Sequence, residues 1–323
     1  MRKNGVSWQG LSGKQKKIKK KQLHRRNTAM VLSALFAFLM LFSLTAPGQR
    51  FWSFVNGGEN LNGIPLQVQK DPLNIYFLDV GKADSIIITC ENYSLLIDAG
   101  TYVDSETVEI WLKKLNIDRL NAVFASHPDS DHIGGIPYIL ENFKVDELIV
   151  SDIPAELLSA ENEYNKLMSA ALNNDIAVKT VYAGDILNYG NCSFEVLGPL
   201  GDHADMNNYS LVQKLIYKNF SALFPGDAEN RSENMLLNSG ADLTADLLKV
   251  AHHGSKTSSS KEFLEAVGAE YAVVSTGVDR NNLPRKEVLR ALEEYSMDIY
   301  RTDVDGTVIV SSDGDETTII QEK

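Results

Sequence analysis

Two kinds of hydrophobic pattern alternate along most of the chain. Short apolar, β-branched runs separated by tight polar turns predict strands at NIYFLDV, SIIITC and YSLLIDAG. The segment DSETVEIWLKKLNI instead places its apolar residues at helical spacing, behind Asp104 or Ser105 as the N-cap. Further strands are predicted at NAVFAS, FEVLGP, SLVQKLIY, FSALFPGD, DLLKVAHHG and finally GTVIVSS, and further helices after GGIP and at AELLSAENEYNKLMSAALNN, SKEFLEAVG and RKEVLRALEEY. This α/β order predicts two sheets packed face to face with helices outside.

The N-terminal pattern is different. Residues 28–46 are a run of apolar and small residues without a charge, about 28 Å long as a helix, against roughly 30 Å for a bilayer core. We predict a transmembrane anchor there, with a cleaved signal peptide as the alternative. Residues 1–27 form a basic tail, residues 47–70 have linker composition, and residues 71–323 are expected to form the folded domain.

Charge fixes the orientation expected for this anchor. Ten Lys and Arg residues and no acidic residue lie within positions 1–27, so the tail is predicted to stay in the cytoplasm and the domain to face outward, or to be secreted if the signal is cleaved. The other 21 basic residues face all 43 acidic ones, a formal charge of −22 after the tail. A surface this acidic argues against tight binding of a polynucleotide.

The cysteine content points away from a disulfide framework. The chain has two cysteines, Cys90 and Cys192, far below the density of a disulfide-rich scaffold. The two cysteines could pair in an oxidising compartment, but we predict two buried thiols.

One polar motif follows directly on an apolar strand. In HPDSDH, residues 127, 129 and 131 alternate along a loop, so their side chains can point toward one centre, and residue 132 can complete the set. The motif contains His127, Asp129, Asp131 and His132. Two imidazoles and two carboxylates at this density are typical of metal ligands. The alternative is a capping loop, although a cap needs only one such residue.

Two other strand ends carry polar residues of the same kind. Asp227 follows a strand in FPGD, and His252 and His253 follow another in LKVAHHGS. Alone, Gly-Asp after a strand is usually a turn, and a single histidine is usually a core residue. Together with HPDSDH, they predict one metal site assembled from three strand ends.

HPDSDH resembles the signature H-x-H-x-D-H of the metallo-β-lactamase superfamily, with Asp129 where the second histidine usually stands. Together with YFLDVGKADS, LLIDAG, NNYSLV, FPGDAE, LKVAHHGS and YRTDVDGTVIV in this order, it makes the region from about Leu73 to Ser312 similar to the extracytoplasmic domain of ComEC-type bacterial competence (DNA-uptake) proteins. The resemblance implies an αββα sandwich with its metal ions at the strand ends.

The resemblance also implies a role for individual residues. His127 and Asp129 would bind one ion, Asp131 and His132 the other, and Asp227 would bridge, with Asp131 and Asp227 the residues on which catalysis depends. One residue of the HHG pair would be a further ligand; His252 is favoured, without separating it from His253. Asn208 stands where other members of the superfamily bind metal through a third histidine, a substrate or third-ligand position. Three acids in matching motifs are expected to support the ligands from behind: Asp79, Asp84 and Asp98.

The sequence departs from its relatives at one loop. Relatives commonly have histidine before the proline of DRNNLPRKEVL, where this chain has Leu283. That change motivates the alternative of a degenerate module that binds metal without catalysis. His203 is a possible replacement, but an exposed loop histidine is the expected interpretation.

These observations predict a membrane-anchored, outward-facing, metal-dependent hydrolase of phosphodiesters with two divalent ions, zinc or manganese. The carboxylate of Asp129 in place of an imidazole favours manganese, while the general affinity order favours zinc. DNA is the leading substrate by resemblance only, smaller phosphodiesters remain open, and no protein partner is evident. Hydrolysis of β-lactams is disfavoured because the motifs match the competence proteins.

Overall fold

The computed structural model describes Asn27 and residues 73–158, 161–278, 280 and 282–323. The predicted anchor at residues 28–46 and the linker after it lie outside this part of the chain, as does the basic tail. In the described part, no helix combines the length and the apolar character needed to cross a membrane.

Strands and helices follow the order expected from the hydrophobic pattern. The strands are β1 (Leu73–Phe77), β2 (Ser85–Cys90), β3 (Tyr93–Ala99), β4 (Arg119–Leu120), β5 (Ala122–Ala125), β6 (Lys144–Val145), β7 (Glu147–Ser151), β8 (Ala177–Val181), β9 (Ile186–Tyr189), β10 (Cys192–Gly198), β11 (Val212–Tyr217), β12 (Phe220–Phe224), β13 (Leu247–Lys249), β14 (Tyr271–Val274), β15 (Asp298–Arg301), β16 (Val308–Ser312) and β17 (Thr317–Gln321). The helices are α1 (Ser105–Lys114), α2 (Ser130–Ile133), α3 (Ile136–Asn142), α4 (Ala155–Leu158), α5 (Asn162–Asn173), α6 (Asn230–Ser239), α7 (Lys261–Val267), α8 (Lys286–Glu294) and α9 (Thr302–Asp305).

Most of the strands form two large sheets. The first has eight strands in the order β17-β16-β1-β2-β3-β5-β7-β8, and the second has seven in the order β15-β14-β13-β12-β11-β10-β9. Each sheet has an antiparallel part and a parallel part, the parallel pairs being β3-β5-β7-β8 in the first and β12-β13-β14-β15 in the second. The small strands β4 and β6 pair separately.

The main core lies between the two sheets. Aromatic rings from opposite sheets stack there, with centroids 6.3 Å apart for Phe77 and Phe224 and 5.1 Å apart for Phe124 and Phe194. A further buried cluster joins the second sheet to α6, α7 and α8. On the first sheet, Trp111 of α1 packs on Tyr76 with ring centroids 6.2 Å apart. The predicted αββα sandwich is confirmed.

Some predicted elements were wrong or missing. The chain does not finish its strands at GTVIVSS, because β17 pairs with β16 as an edge strand whose residues are mostly half-buried and show little alternation. The stretch predicted as one helix over residues 155–174 is two helices, α4 and α5. The pattern also missed α6, whose sequence NRSENMLLNS is largely polar.

The prediction of two free thiols was wrong. Cys90 of β2 and Cys192 of β10 form a disulfide that links the first sheet to the second, with Cα atoms 6.6 Å apart. Both residues belong to the core between the sheets. Their proximity follows from the stacking of the sheets, which a separation of 102 positions in the sequence does not reveal.

Candidate metal centre

The predicted ligands lie at one edge of the sandwich, just after strands of both sheets. HPDSDH follows β5 of the first sheet, Asp227 follows β12 of the second, and the histidine pair follows β13 beside it. The carboxyl ends of parallel strands commonly carry the functional residues of α/β folds. The site therefore spans the seam between the two sheets.

Asp227 lies at the centre of three imidazoles. Its Oδ1 is 3.2 Å from Nε2 of His132, and its Oδ2 is 4.0 Å from Nε2 of His127 and 3.7 Å from Nε2 of His253. Nε2 of His253 is also 3.4 Å from Oδ2 of Asp131. The described residues contain three groups of potential ligand atoms, each within 4.8 Å. Two lie around Asp227 and Asp131, one from His127, His132 and Asp227 and one from Asp131, His132 and His253. The third is formed by Asp84, Asp98 and His132.

The atoms that face this centre are buried and lack hydrogen-bond partners. They are Nε2 of His127, His132 and His253 and Oδ1 of Asp227. Leaving buried polar atoms unpaired is costly, and native structures rarely do so without a functional reason. Three neutral imidazoles and a carboxylate are ordinary ligands of a divalent transition metal. The residues present therefore fit such an ion.

Hydrogen bonds on the opposite side of each ring fix its orientation. Nδ1 of His132 is 2.8 Å from Oδ2 of Asp98, and Nδ1 of His253 is 2.9 Å from the backbone oxygen of Ser275. The hydroxyl of Ser126 lies 3.1 Å from Nδ1 of His127 and donates to Asp98. Such contacts select the tautomer whose Nε2 lone pair faces a metal.

The backbone at the histidine pair is unusual. His252 and His253 both adopt left-handed conformations, with φ of 50° and 53°. Such conformations are strained for residues other than glycine and cluster at functional sites. Both rings thereby face Asp227, but His253 is buried, whereas the side chain of His252 is 20% exposed and lies 3.7 Å from Asp227 and 3.4 Å from Glu229. Both Nε2 atoms are equally far from Asp227, but that of His253 is the more buried and also lies near Asp131, so the geometry favours His253; which of the two is a ligand stays a prediction.

Asp129 and Asp131 occupy different environments. Asp129 precedes α2 at the N-cap position, but its side chain makes no capping hydrogen bond. Its Oδ2 lies 3.7 Å from Nε2 of His127, and this contact lowers the pKa of the carboxyl. Burial opposes ionisation of Asp131, but His253, His132 and the ammonium of Lys82 outweigh it and hold its pKa well below the usual range.

Two lysines that the sequence did not single out complete the electrostatics. Lys82 forms an ion pair with Asp131, and the fully buried Lys249 forms one with Asp84. Asp84 also lies 3.6 Å from Nδ1 of both His132 and His253, behind the face that these rings present to the centre. The signal for Lys249 is its position inside the apolar strand LLKV, since lysine is almost never buried without a partner.

Among the described residues, the carboxylate of Asp227 forms its ion pairs with histidines and none with a lysine or arginine. Burial would raise its pKa, but the nearby His132 and His253 lower it well below the usual range. Asp227 and Asp84 raise the pKa of His132 in turn, against the effect of its burial. Asp227 is therefore kept ionised in this buried position, the form in which a carboxylate binds a cation.

Two of the predicted site residues lie outside the cluster. The carboxylate of Asp79 pairs with Lys323, with an N–O distance of 2.8 Å, so it does not support the ligands. The amide nitrogen of Asn208 donates to Asp205, and its oxygen accepts hydrogen bonds from the backbone N–H groups of Glu229 and Ser232. The partners that Asn208 already has give it a structural role at the start of α6 in place of the predicted ligand role.

His203 and Leu283 are the remaining residues named from the sequence. The expectation of an exposed His203 was wrong, because the side chain is buried and packs edge-on against Tyr209 with ring centroids 5.0 Å apart. Leu283 is half-buried, and its carbonyl accepts a hydrogen bond from Thr276.

The chain is similar in sequence to a known protein family and to several curated proteins. The model of the family described as "Metallo-beta-lactamase superfamily" matches residues 78–278. ComE operon protein 3 of Bacillus subtilis (strain 168) is 32% identical over 252 residues, which are 72% of this chain and 32% of that protein. Competence protein ComA of Neisseria gonorrhoeae is 26% identical over 284 residues, which are 86% of this chain and 38% of that protein.

The chain thus spans about a third of the length of the curated relatives it matches. Among solved structures, the metallo-beta-lactamase fold protein YhfI from Bacillus subtilis aligns with a TM-score of 0.51 and 16% identity, covering 75% of this chain and 100% of that one. At this level of identity, the likeness concerns the fold.

Proposed function

We propose that this chain, which belongs to the metallo-beta-lactamase superfamily and resembles its competence-protein members, is a metal-dependent hydrolase of phosphodiester bonds. One observation carries the proposal: buried Nε2 atoms of three histidines and a carboxylate oxygen of Asp227 converge without hydrogen-bond partners. Cations bound at this point would give these nitrogen and oxygen atoms the partners that they lack.

We propose two neighbouring ion positions built from residues of this chain. His127, His132 and Asp227 would hold the first, with Asp129 beside His127. Asp131 and His253 would hold the second, with Asp227 between the two. Two divalent ions bound there would supply Lewis-acid activation of water and stabilise the negative charge that develops on phosphate oxygens.

The remaining residues orient this machinery. Asp98 and Ser275 hold His132 and His253 in the tautomer that leaves Nε2 free, and Asp84 with Lys249 fills the space behind the rings. The carboxylate of Asp129, where superfamily members usually have histidine, adds a hard oxygen donor. We therefore propose manganese ahead of zinc as the functional ion.

The substrate class rests on the resemblance and on charge together. Similarity to competence proteins supports a nucleic acid. The chain after the basic tail has a formal charge of −22, which disfavours contacts with many phosphate groups along a polynucleotide. We therefore propose that the substrate is a short or single-stranded segment of nucleic acid, or a smaller phosphodiester.

For the location, we propose a membrane anchor at residues 28–46 with the domain facing outward. The positive-inside rule supports this orientation. The Cys90–Cys192 disulfide supports it independently, because disulfides persist mainly in oxidising compartments.

The test is metal content measured together with activity on the full chain. Wild type is expected to bind two Mn²⁺ ions and to cleave bis(p-nitrophenyl) phosphate and single-stranded DNA, whereas Asp227→Ala should lose both properties. Asp79→Ala removes the same carboxylate at a position outside the cluster and should leave both intact. A wild-type chain without bound metal would contradict the proposal.

One departure favours a second candidate, a module that binds metal without catalysis. Leu283 stands where relatives commonly have histidine, and its side chain supplies no donor to substrate or ion. Two bound ions with no turnover of any phosphodiester, combined with turnover after Leu283→His, would select this candidate.

A further inference from the structure

We infer that Lys82 is a positioning residue that sets the affinity of the second metal position, because its ammonium occupies the Asp131 oxygen that an ion there would need. The inference rests on the proposed two-ion function and deepens it. It makes the two positions unequal: the first binds an ion directly, and the second binds one only after Lys82 has left Asp131.

The contact between Lys82 and Asp131 involves the carboxylate oxygen that also faces His253. The Lys82 ammonium pairs with Oδ2 of Asp131, and this same oxygen lies 3.4 Å from Nε2 of His253. An ion coordinated by Asp131 and His253 would thus lie beside the oxygen that Lys82 holds. An ammonium and a divalent cation repel each other at such a distance, so the two compete for Asp131.

The backbone that carries Lys82 is held in place, while its side chain can reach water. A Cβ on Gly277 would lie 2.6 Å from backbone atoms of Gly81, which shows how closely these two loops pack. The next residue but one, Asp84, donates its backbone N–H to the backbone oxygen of Asp131 at 3.0 Å. The Lys82 side chain, by contrast, is 25% exposed. Rotation of this side chain alone can release Asp131.

Lys249 provides the internal comparison. It also pairs with an acid, but that acid is Asp84, whose oxygens lie on the Nδ1 side of the histidine rings. Its side chain is 1% exposed and has no path to solvent. Lys249 therefore remains in place when ions bind, and Lys82 is the cation that moves.

The first position is free of this competition. Among the described ion pairs, no lysine or arginine contacts His127, Asp129 or Asp227. An ion between His127 and Asp227 displaces no positively charged side chain. The expected binding curve therefore has a tight step followed by a weaker one.

The experiment is a titration of the full metal-free chain in detergent with Mn²⁺ alone, followed by calorimetry and by metal analysis after dialysis. Lys82→Gln should tighten the second step about 10-fold to 100-fold, the range typical of coupling between two sites, and change the first step little. Lys82→Arg keeps the positive charge and should keep the second step weak. Lys261→Gln removes the same charge from an exposed pair with Glu294 and should match wild type.

The outcomes separate the two proposals. Equal second-step affinities in wild type and Lys82→Gln, with both chains binding two ions, would overturn the inference and leave the proposed function standing. No bound metal in any chain would instead overturn the proposed function. Thermal melts of each chain establish that it is folded, and Lys82→Met replaces Lys82→Gln if that variant is not.

Discussion

At the scale of single residues, one hydrogen bond decides which nitrogen of His253 faces the centre. The backbone oxygen of Ser275 can only accept, so Nδ1 of His253 must carry the proton. The Nε2 atom then has its lone pair directed at Asp131 and Asp227. His252 lacks such a contact with a backbone oxygen and faces the hydroxyl of Thr257 instead.

The first prediction separates the two histidines. His253→Asn should remove about one metal ion per chain, because it removes a buried nitrogen ligand of the second ion position. His252→Asn should keep both ions and weaken binding less than tenfold, since its side chain is partly exposed and lies at the rim. Metal analysis after dialysis measures both, and the opposite ranking would show that His252 is the ligand.

The sequence predicted the composition of the centre better than its arrangement. HPDSDH, FPGD and HHG contain residue types that bind metal, so their positions after strands were enough to bring them together in one hypothesis. Distinguishing His252 from His253 depends on their different burial and on the contact of His253 with Asp131, which the letters do not encode. Lys82 escaped notice because a lysine in a polar turn usually faces water.

At the scale of elements, the start of α6 depends on a residue from another segment. The first N–H groups of a helix have no partner within the helix. Asn208 accepts hydrogen bonds from two of them, at Glu229 (3.2 Å) and Ser232 (3.0 Å). The helix end that follows Asp227 is thus fixed by a distant amide.

The second prediction follows from this contact. Asn208→Ala should lower the free energy of unfolding by about 2 kcal/mol, because it removes the acceptor of the buried N–H group of Ser232 and of the partly buried N–H group of Glu229. Chemical denaturation measures the change. Metal content should stay at the wild-type value, and a loss of metal from a folded variant would restore the ligand role first expected for Asn208.

The third prediction concerns pH and the segment before β13. Lys214 of β11 is 5% exposed and donates to Asp242, and this contact lowers the pKa of Asp242 to about 2. Since the unfolded carboxyl has a pKa of about 3.9, the pair stabilises the fold above that value and loses its contribution as pH falls toward 2.

Asp242→Asn should therefore cost about 1 kcal/mol at pH 7, a value reduced for the exposure of Asp242 to solvent. The difference from wild type should shrink between pH 4 and pH 2 in urea titrations. A difference independent of pH would mean that the carboxylate charge is not what stabilises the contact.

Strands were recognised from the sequence where their residues are buried. Strands β1 and β5 are buried at every residue, which gives the continuous apolar runs that were recognised. Strand β8 is exposed at four of its five residues, so its sequence AVKTV carries little periodic signal. Its pairing with β7 comes from the neighbouring strand and not from its own pattern.

At the scale of the whole molecule, the Cys90–Cys192 disulfide is a covalent link between the two sheets whose edges form the centre. It closes a loop of 102 positions. In the chain-entropy account, a loop of this length stabilises the fold by about 4 to 5 kcal/mol. Cys90 pairs with Tyr93 and Cys192 with Tyr217, so the link joins the two sheets at the strand ends away from the metal centre.

The fourth prediction tests this link. The double variant Cys90→Ser/Cys192→Ser should unfold at a lower urea concentration than wild type. Its free energy of unfolding should be lower by about 4 to 5 kcal/mol. Wild type treated with dithiothreitol should approach the same value, and the double variant should not respond to the reductant. Equal stability of the oxidised and reduced wild type would contradict the stabilising role.

The position of β1 between β2 and β16 has a consequence for the order of folding. A hydrogen bond between the side chains of Ser311 and Asn74, on these paired strands, spans 237 positions of sequence. Pairings at such separation form slowly, because closing a long loop costs entropy before the paired strands gain any favourable contact. A ribosome making the chain would complete nearly the whole domain before β1 gained its second neighbour. The first sheet is thus completed by β16 and β17, so the domain can reach its final fold only after these two strands have been synthesised.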